Sequence, residues 1–296
     1  MNTFFSSINY LIPSLNELFA FFLFIVLILS FFYLGKLTTN FNFFNAYNFG
    51  IGFYYFVFLF LTLNFFLKLN YILYLYLFTL LILLVNKKRT INYQNYLIEL
   101  KKNYYLILII FITFFIFISA KSHGWDTFSF WLPRLDYLIE NNQFPPRGFF
   151  RAEYPFSFEL INYSVLSIIK FNVENIPSLL DCFLIIMIFY IFVEELHKEK
   201  IKKFQIPLYI LIFFNPLILN TNTFSSYQDL KISFVILLIV SFIYKKNIFL
   251  LNKVSLNNIL ILSSFNAILC VTKNIGVIYF TIISLYFLLV NIYHLK

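Results

Sequence analysis

LFAFFLFIVLILSFFYL, residues 18–34, carries no charged side chain, and Ser30 is its only residue that is neither aliphatic nor aromatic. Such a run needs apolar surroundings along its whole length. A helix crosses the hydrocarbon of a bilayer with roughly 20 such residues, within a range of about 17–25. Working outward, residues 49–67, 71–85, 104–119, 178–193, 206–219, 230–244, 257–271 and 275–293 are similarly poor in charge. Several are short of a full span, and flanking Tyr and Lys complete them.

Composition agrees. The chain is 61% hydrophobic, 23% aromatic and 12% charged, with a mean hydropathy of +0.83. A soluble domain carries about 25% charged residues, so 296 residues of this kind cannot cover a globule in water. The expected fold is all-α: a polytopic transmembrane helix bundle of about nine spans, with two interfacial helices in the first large outer loop. The chain divides into N-terminal spans with a basic loop (1–103) and a transmembrane core (104–296) whose outer loop covers 120–177. The bias toward Phe, Ile, Leu, Asn, Lys and Tyr matches A- and T-rich codons, so Phe-rich stretches carry little functional information. Six glycines are few for a membrane bundle, where small residues let helices approach.

The net charge of +9 sits in short loops between apolar runs. That pattern fits the positive-inside rule and argues against a nucleic-acid partner. Cys182 and Cys270 both fall inside expected spans and make no disulfide or metal pattern, so packing is their expected role. Residues 18–34 lack a basic segment before them and a small-residue cleavage site after them, and read as a retained anchor.

Three loops fix the orientation. Residues 86–103 carry Lys87, Lys88, Arg89, Lys101 and Lys102; 194–205 carry Lys198, Lys200, Lys202 and Lys203; 245–256 carry Lys245, Lys246 and Lys253. Each is expected in the cytoplasm. The connections at 120–157, 220–229 and 272–274 then share the outer face. Counting back through three spans puts the N-terminus outside, unless 71–85 does not span. Residues 156–169 (FSFELINYSVLSII) contain Glu159 and Asn162, and are expected as an amphipathic helix in the outer interface.

The outer segment SHGWDTFSFWLPRLDYLIENNQFPPRGFFRAEYPFSF, residues 122–158, differs from everything around it. It holds both tryptophans, four prolines, three arginines and a cluster of carboxylates. Trp125 reads as an interfacial belt residue. Asp126 follows the end of a span, where an acid is costly unless paired or useful. Apolar residues 128, 131, 132, 135, 138 and 139 have helical spacing, with Arg134, Asp136 and Glu140 on the polar, solvated side. NNQFPPRG supplies turn signals. Arg147 and Arg151 suit phosphate, because guanidinium donors bind oxygens in pairs; the plainer role is pairing with Glu153 or lipid headgroups. Asp229 opens the span after the second outer connection, where the helix dipole favours an acid. Lys273 lies in the third connection, where a lysine commonly snorkels.

The order of these motifs resembles the polytopic GT-C glycosyltransferases that use polyprenyl-phosphate sugars. More narrowly, it is similar to the bacterial members related to mannosyltransferases and aminoarabinose transferases. The matching elements are GWDTFSFWLPRLDYLIENNQF, EYPFSFELINY, NVENIPSLLDCFLIIMIFYIFVEEL, SYQDLKIS and VTKNIGVIYF, over roughly residues 104–293. Phe156 stands where the family has a second proline. Relatives generally continue beyond the point where this chain ends, so a short member, or one completed by a partner chain, is expected. The resemblance implies inverting transfer of a sugar from a polyprenyl-phosphate donor to a glycan, lipid or protein acceptor outside the cytoplasm, in a bacterial inner or plasma membrane. It implies Asp126 as general base and Asp229 as second acid, with Arg134, Arg147, Arg151, Tyr154 and Lys273 binding substrate or phosphate. Related enzymes differ in metal use, and two acids without a His partner do not establish a metal site. A lipid-linked sugar transporter or a non-catalytic scaffold is the alternative. A transporter places charge at the midplane, and Asp181, near one end of its run, is the only such charge the sequence offers.

Overall fold

Ser14 begins the first helix with a reciprocal cap. Its side chain accepts from the Glu17 amide, and its own amide donates to the Glu17 carboxylate at 2.6 Å. That pairing satisfies two amide groups that a helix start leaves open, and starts α1 (Leu15–Thr38) three residues before the apolar run. The computed structural model describes residues 14–39, 41–87, 107, 108, 111, 112, 114, 132–146, 156–170, 176–191, 228–248 and 255–294. Among them, all regular structure is helical. After α1 come α2 (Ala46–Leu63), α3 (Leu69–Lys87), α4 (Leu132–Asn141), α5 (Glu159–Ile169), α6 (Ile176–Tyr190), α7 (Gln228–Lys245), α8 (Leu256–Cys270) and α9 (Asn274–His294).

Seven of the expected spans coincide with helices: α1, α2, α3, α6, α7, α8 and α9. Of 104–119 only five residues are described, all helical, and 206–219 lies outside the described residues. α1, α2 and α3 are long and apolar enough to cross a membrane, which associates the chain with a bilayer. Residues 71–85, the uncertain third run, belong to the 19-residue α3.

The first three helices form an up-down-up unit. Asn45 caps α2, accepting from the Tyr47 amide at 2.9 Å. Ser30 and Tyr76 hydroxyls meet at 2.7 Å, and Tyr33 donates to the Leu83 carbonyl at 3.1 Å. α1 and α3 therefore run parallel, with α2 reversed between them. The approach of α1 and α2 depends on two glycines. A Cβ at Gly35 would strike the backbone of Asn48, and one at Gly52 the backbone of Phe31. Although the glycines are few, these stand where the backbones meet.

Phenylalanines fill the rest. Phe31 contacts Phe49, Phe53 and Phe56 at ring distances of 5.1–5.7 Å, mostly inclined or edge-on, as the ring quadrupoles favour. Phe53 meets Phe158 at 4.6 Å, joining the N-terminal unit to α5. The Phe-rich runs, uninformative in the sequence, are the core.

Contacts at the helix ends define two faces. At one, Tyr190 donates to the Phe44 carbonyl and Phe41 meets Phe242; the last turns of α1 and α7 bring Lys36 and Lys245 here. At the other, the Leu69 amide donates to the Asn142 carbonyl, the Ser157 amide to Val271, and Lys273 pairs with Asp229. The basic helix ends thus gather opposite the polar connections, as the loop charges imply.

α4 and α5 depart from expectation. Arg134, assigned to a solvated side, is buried together with Leu135 and Leu138. In α5 every residue from Glu159 to Leu166 is buried, so it lacks the wet side of an interfacial helix. Its polar groups are buried as well: Ser164 donates to the Leu160 carbonyl of the same helix, and the Tyr163 hydroxyl donates to Asn142 Oδ1 at 2.8 Å. At 11 residues and about 1.5 Å per residue, α5 is too short to span.

Gly52→Val or Gly35→Val is expected to cost about 3 kcal/mol by forcing α1 and α2 apart. Gly50→Ala, whose Cβ would meet only side chains (Phe265 Cε1 at 2.7 Å, Leu238 Cδ1 at 3.0 Å), should cost less. Thermal unfolding of the detergent-purified chain gives the order; a Gly50 variant weaker than either valine variant would contradict this packing.

Candidate functional site

Asp229 sits in the first turn of α7, where the helix N-terminus favours a negative charge. Its Oδ1 lies 2.7 Å from the Lys273 ammonium. The aspartate side chain is 74% exposed and the lysine 29%. A pair this wet contributes roughly 0–1 kcal/mol, so stability does not account for it. It does hold Lys273 in a defined place while leaving the outward carboxylate oxygen in solvent.

The segment carrying Lys273 is itself well held. Thr272 donates to the Ile268 carbonyl at 2.7 Å, and the Gly276 amide donates to Lys273 at 2.8 Å, closing a turn into α9. The Ser157 amide donates to the Val271 carbonyl at 3.3 Å. Ser157, at the end of the polar segment, is thereby fastened one residue from Thr272 and two from Lys273. Sequence reasoning placed Asp229, Lys273 and the polar segment at one face, and these bonds bring them together.

Lys231 is two residues beyond Asp229 in α7. Two residues rotate a helix by about 200°, so Lys231 points inward where Asp229 points out. Its ammonium is 3.2 Å from Asp181 Oδ1 of α6, with the two side chains 3% and 0% exposed. Nearby, the Arg134 guanidinium lies over the Phe156 ring, 3.9 Å from its centroid. Glu159 is buried within electrostatic reach of both Arg134 and Lys231. Burial pushes the Glu159 carboxyl above the usual carboxylate range; Arg134 and then Lys231 draw it back. Arg134, Glu159, Asp181 and Lys231 therefore form a balanced set of two cations and two acids. It links α4, within the polar segment, and α5, directly after it, with α6 and α7.

Arg134 is therefore placed inside the bundle and stacked on Phe156, where it holds the end of the polar segment. Asp126, Arg147, Arg151 and Tyr154 lie outside the described residues. Cys182 is buried and Cys270 partly so, and neither is in a disulfide. Among the described residues, no group of three or more His, Cys, Asp or Glu converges.

Sequence reasoning missed Lys231 and Glu159 as inward charges. The available signal was the two-residue spacing of Asp229 and Lys231, which cannot face the same way. A second was Asp181, an acid in an apolar helix, which demands a cation somewhere in the bundle. No family model, curated protein or solved structure matches the chain.

Two outcomes follow from the buried set. Asp181→Asn or Lys231→Met alone leaves one charge in a dry site and should cost about 3–5 kcal/mol. The double change Asp181→Leu with Lys231→Met should recover most of that loss, so additive losses in thermal unfolding would contradict the pairing. For Glu159, the folded chain keeps the proton at pH values where the unfolded chain has released it. That stability is complete below the ordinary carboxylate range and is lost as pH rises through the raised folded value. Glu159→Gln should flatten this limb of the stability–pH curve; an unchanged slope would contradict it.

Proposed function

We propose that the chain is a multi-pass membrane glycosyltransferase of GT-C type, acting at the face that carries Asp229 and Lys273. It moves a sugar from a polyprenyl-phosphate carrier to an acceptor outside the cytoplasm. The observation that carries this reading is the convergence at one face of an exposed carboxylate, a fixed ammonium and the fastened end of the aromatic, arginine-bearing segment. A lipid-linked anionic substrate needs those three things: a cation for its phosphate, an acid for the acceptor hydroxyl, and a surface beside the membrane.

In the proposed reaction the acceptor oxygen attacks the anomeric carbon as the bond from that carbon to the phosphate oxygen breaks. Attack from the opposite side inverts the configuration. Asp126 takes the hydroxyl proton, a role open to a carboxylate within hydrogen-bond reach. The departing lipid phosphate gains charge, and Lys273, with Arg147 and Arg151, stabilises it. An ammonium has three donors, so Lys273 can hold Asp229 with one and offer the others. Asp229 fixes that ammonium and orients the acceptor. Tyr154 contributes to substrate binding. The setting is a bacterial inner or plasma membrane.

The buried Asp181–Lys231 pair favours a second reading, transport of a lipid-linked sugar, since charge inside a bundle marks substrate paths. Its position weighs against this: Lys231 is in the opening turns of α7, away from the midplane where transporters bind.

Glycan and glycolipid profiles of a deletion strain, complemented at matched membrane levels, test the proposal. Asp126→Asn should leave the same glycan missing as the deletion, and Lys273→Met should lower product by roughly 100-fold, the scale of one lost transition-state contact. Full restoration by Asp126→Asn would favour the scaffold or transport role.

A further inference from the structure

VTKNIG, residues 271–276, makes the corner between α8 and α9. The last carbonyls of α8 are taken up here. The Val271 amide donates to those of Ala267 and Ile268, and the Thr272 amide to that of Leu269 at 3.3 Å. The Thr272 hydroxyl adds a shorter bond to Ile268, at 2.7 Å. These bonds satisfy groups that a helix end leaves open, and Thr272 is fully buried, so water does not compete for them. α9 then starts at once. Gly276, in its first turn, lies directly on the Leu269 carbonyl: a Cβ there would stand 1.9 Å from that oxygen and 2.8 Å from its carbon. Only hydrogen fits. The Gly276 amide donates to the Lys273 carbonyl at 2.8 Å, so the Lys273 backbone moves with this turn.

Lys273 is therefore held at both ends. At its base, Thr272 on one side is bonded to α8, and Gly276 on the other is pressed against it. Ser157 joins the same corner, its Oγ 3.4 Å from Thr272 Oγ1. At the tip, the ammonium meets Asp229 Oδ1 at 2.7 Å, on a helix placed from inside by Lys231 and Asp181. A lysine carries its ammonium on a flexible four-carbon stem, so the tip has a defined place only when base and partner are both fixed. An alanine at 276 would set its Cβ against backbone, with no flexible side chain to yield. The first turn of α9 would have to leave Leu269 and carry Lys273 with it. A valine at 272 keeps the shape of threonine but removes the hydroxyl that closes α8 beneath Lys273.

We propose that Thr272 and Gly276 are positioning residues for Lys273. The Thr272 hydroxyl locks the end of α8, the bare Cα of Gly276 lets α9 start against Leu269, and together they hold the ammonium in front of Asp229 to receive the phosphate of the lipid carrier. The phosphate role rests on the function proposed above; the positioning rests on the corner itself.

The test uses the full chain in phosphatidylcholine nanodiscs, labelled with trace acetic anhydride and read lysine by lysine by peptide mass spectrometry. Lys273, held on a carboxylate, should label more slowly than the exposed Lys68 and Lys170, and Asp229→Asn gives the rate of a released Lys273. Gly276→Ala and Thr272→Val should raise Lys273 labelling about threefold, the scale of a surface ion pair, while Thr272→Ser stays at the wild-type rate. Lys231, 2% exposed, stays unlabelled wherever the bundle is folded, which separates a displaced Lys273 from unfolding. Should Gly276→Ala not fold, the isosteric Thr272→Val carries the test. Lys273 labelling at the wild-type rate in the valine and alanine variants, or an equal rise in Thr272→Ser and Thr272→Val, would overturn the assignment. Titrated with undecaprenyl phosphate, Gly276→Ala and Thr272→Val should bind about tenfold more weakly than wild type, the scale of one charge-assisted hydrogen bond. Raised labelling with unchanged binding would leave the positioning intact and overturn the phosphate role.

Discussion

A charge withdrawn from water must find its opposite, and the arrangement of this chain follows from that requirement at Lys231. The residue enters the bundle from α7 and meets Asp181 of α6 at 3.2 Å, both side chains almost wholly buried. Glu159, just after the polar segment, is buried within electrostatic reach of Lys231 and of Arg134, itself buried and within that segment. Desolvating ionised groups is expensive, and such sets bring less net stability than specificity of arrangement. Here the arrangement specified is the placing of α4 and α5. Neither has the length to be held by a bilayer alone, yet both are fixed against long helices.

The same residues link depth to surface. Asp229 and Lys231 are two positions apart on one helix turn, so anchoring one inward aims the other outward. Lys273 reaches Asp229 because Thr272, Gly276 and Ser157 close the α8–α9 connection around it. The face proposed to bind a lipid-linked sugar is consequently supported from inside. A cation held by an exposed acid and backed by a rigid turn is better placed for a phosphate than a lysine free to move.

Much of this was legible in the sequence, for physical reasons. Long charge-free runs leave a helix no other solvent, and their positions match α1, α2, α3, α6, α7, α8 and α9. The pairing of Asp229 with Lys273 was reachable because three polar connections had to share a face. Helix starts were misjudged by a few residues where Ser14 and Asn45 cap early. The reading of α5 went astray because Glu159 and Asn162 look like a wet side when their partners, on distant segments, are not yet known. Arg134 was misjudged for the same reason: an arginine at helical spacing reads as solvated until Phe156 and Glu159 are brought to it. The core escaped notice because, in a chain this rich in phenylalanine, nothing local separates Phe53 or Phe158 from rings facing lipid.

The central claim is that the face bearing Asp229 and Lys273 receives a polyprenyl phosphate. Photo-crosslinking with a diazirine-bearing undecaprenyl phosphate, followed by peptide mapping of the full chain in nanodiscs, tests this most directly. The account predicts labelling of peptides at the start of α7 and at the α8–α9 connection, strongly reduced in Lys273→Met. Labelling confined to the opposite face, or unchanged by Lys273→Met, would contradict it.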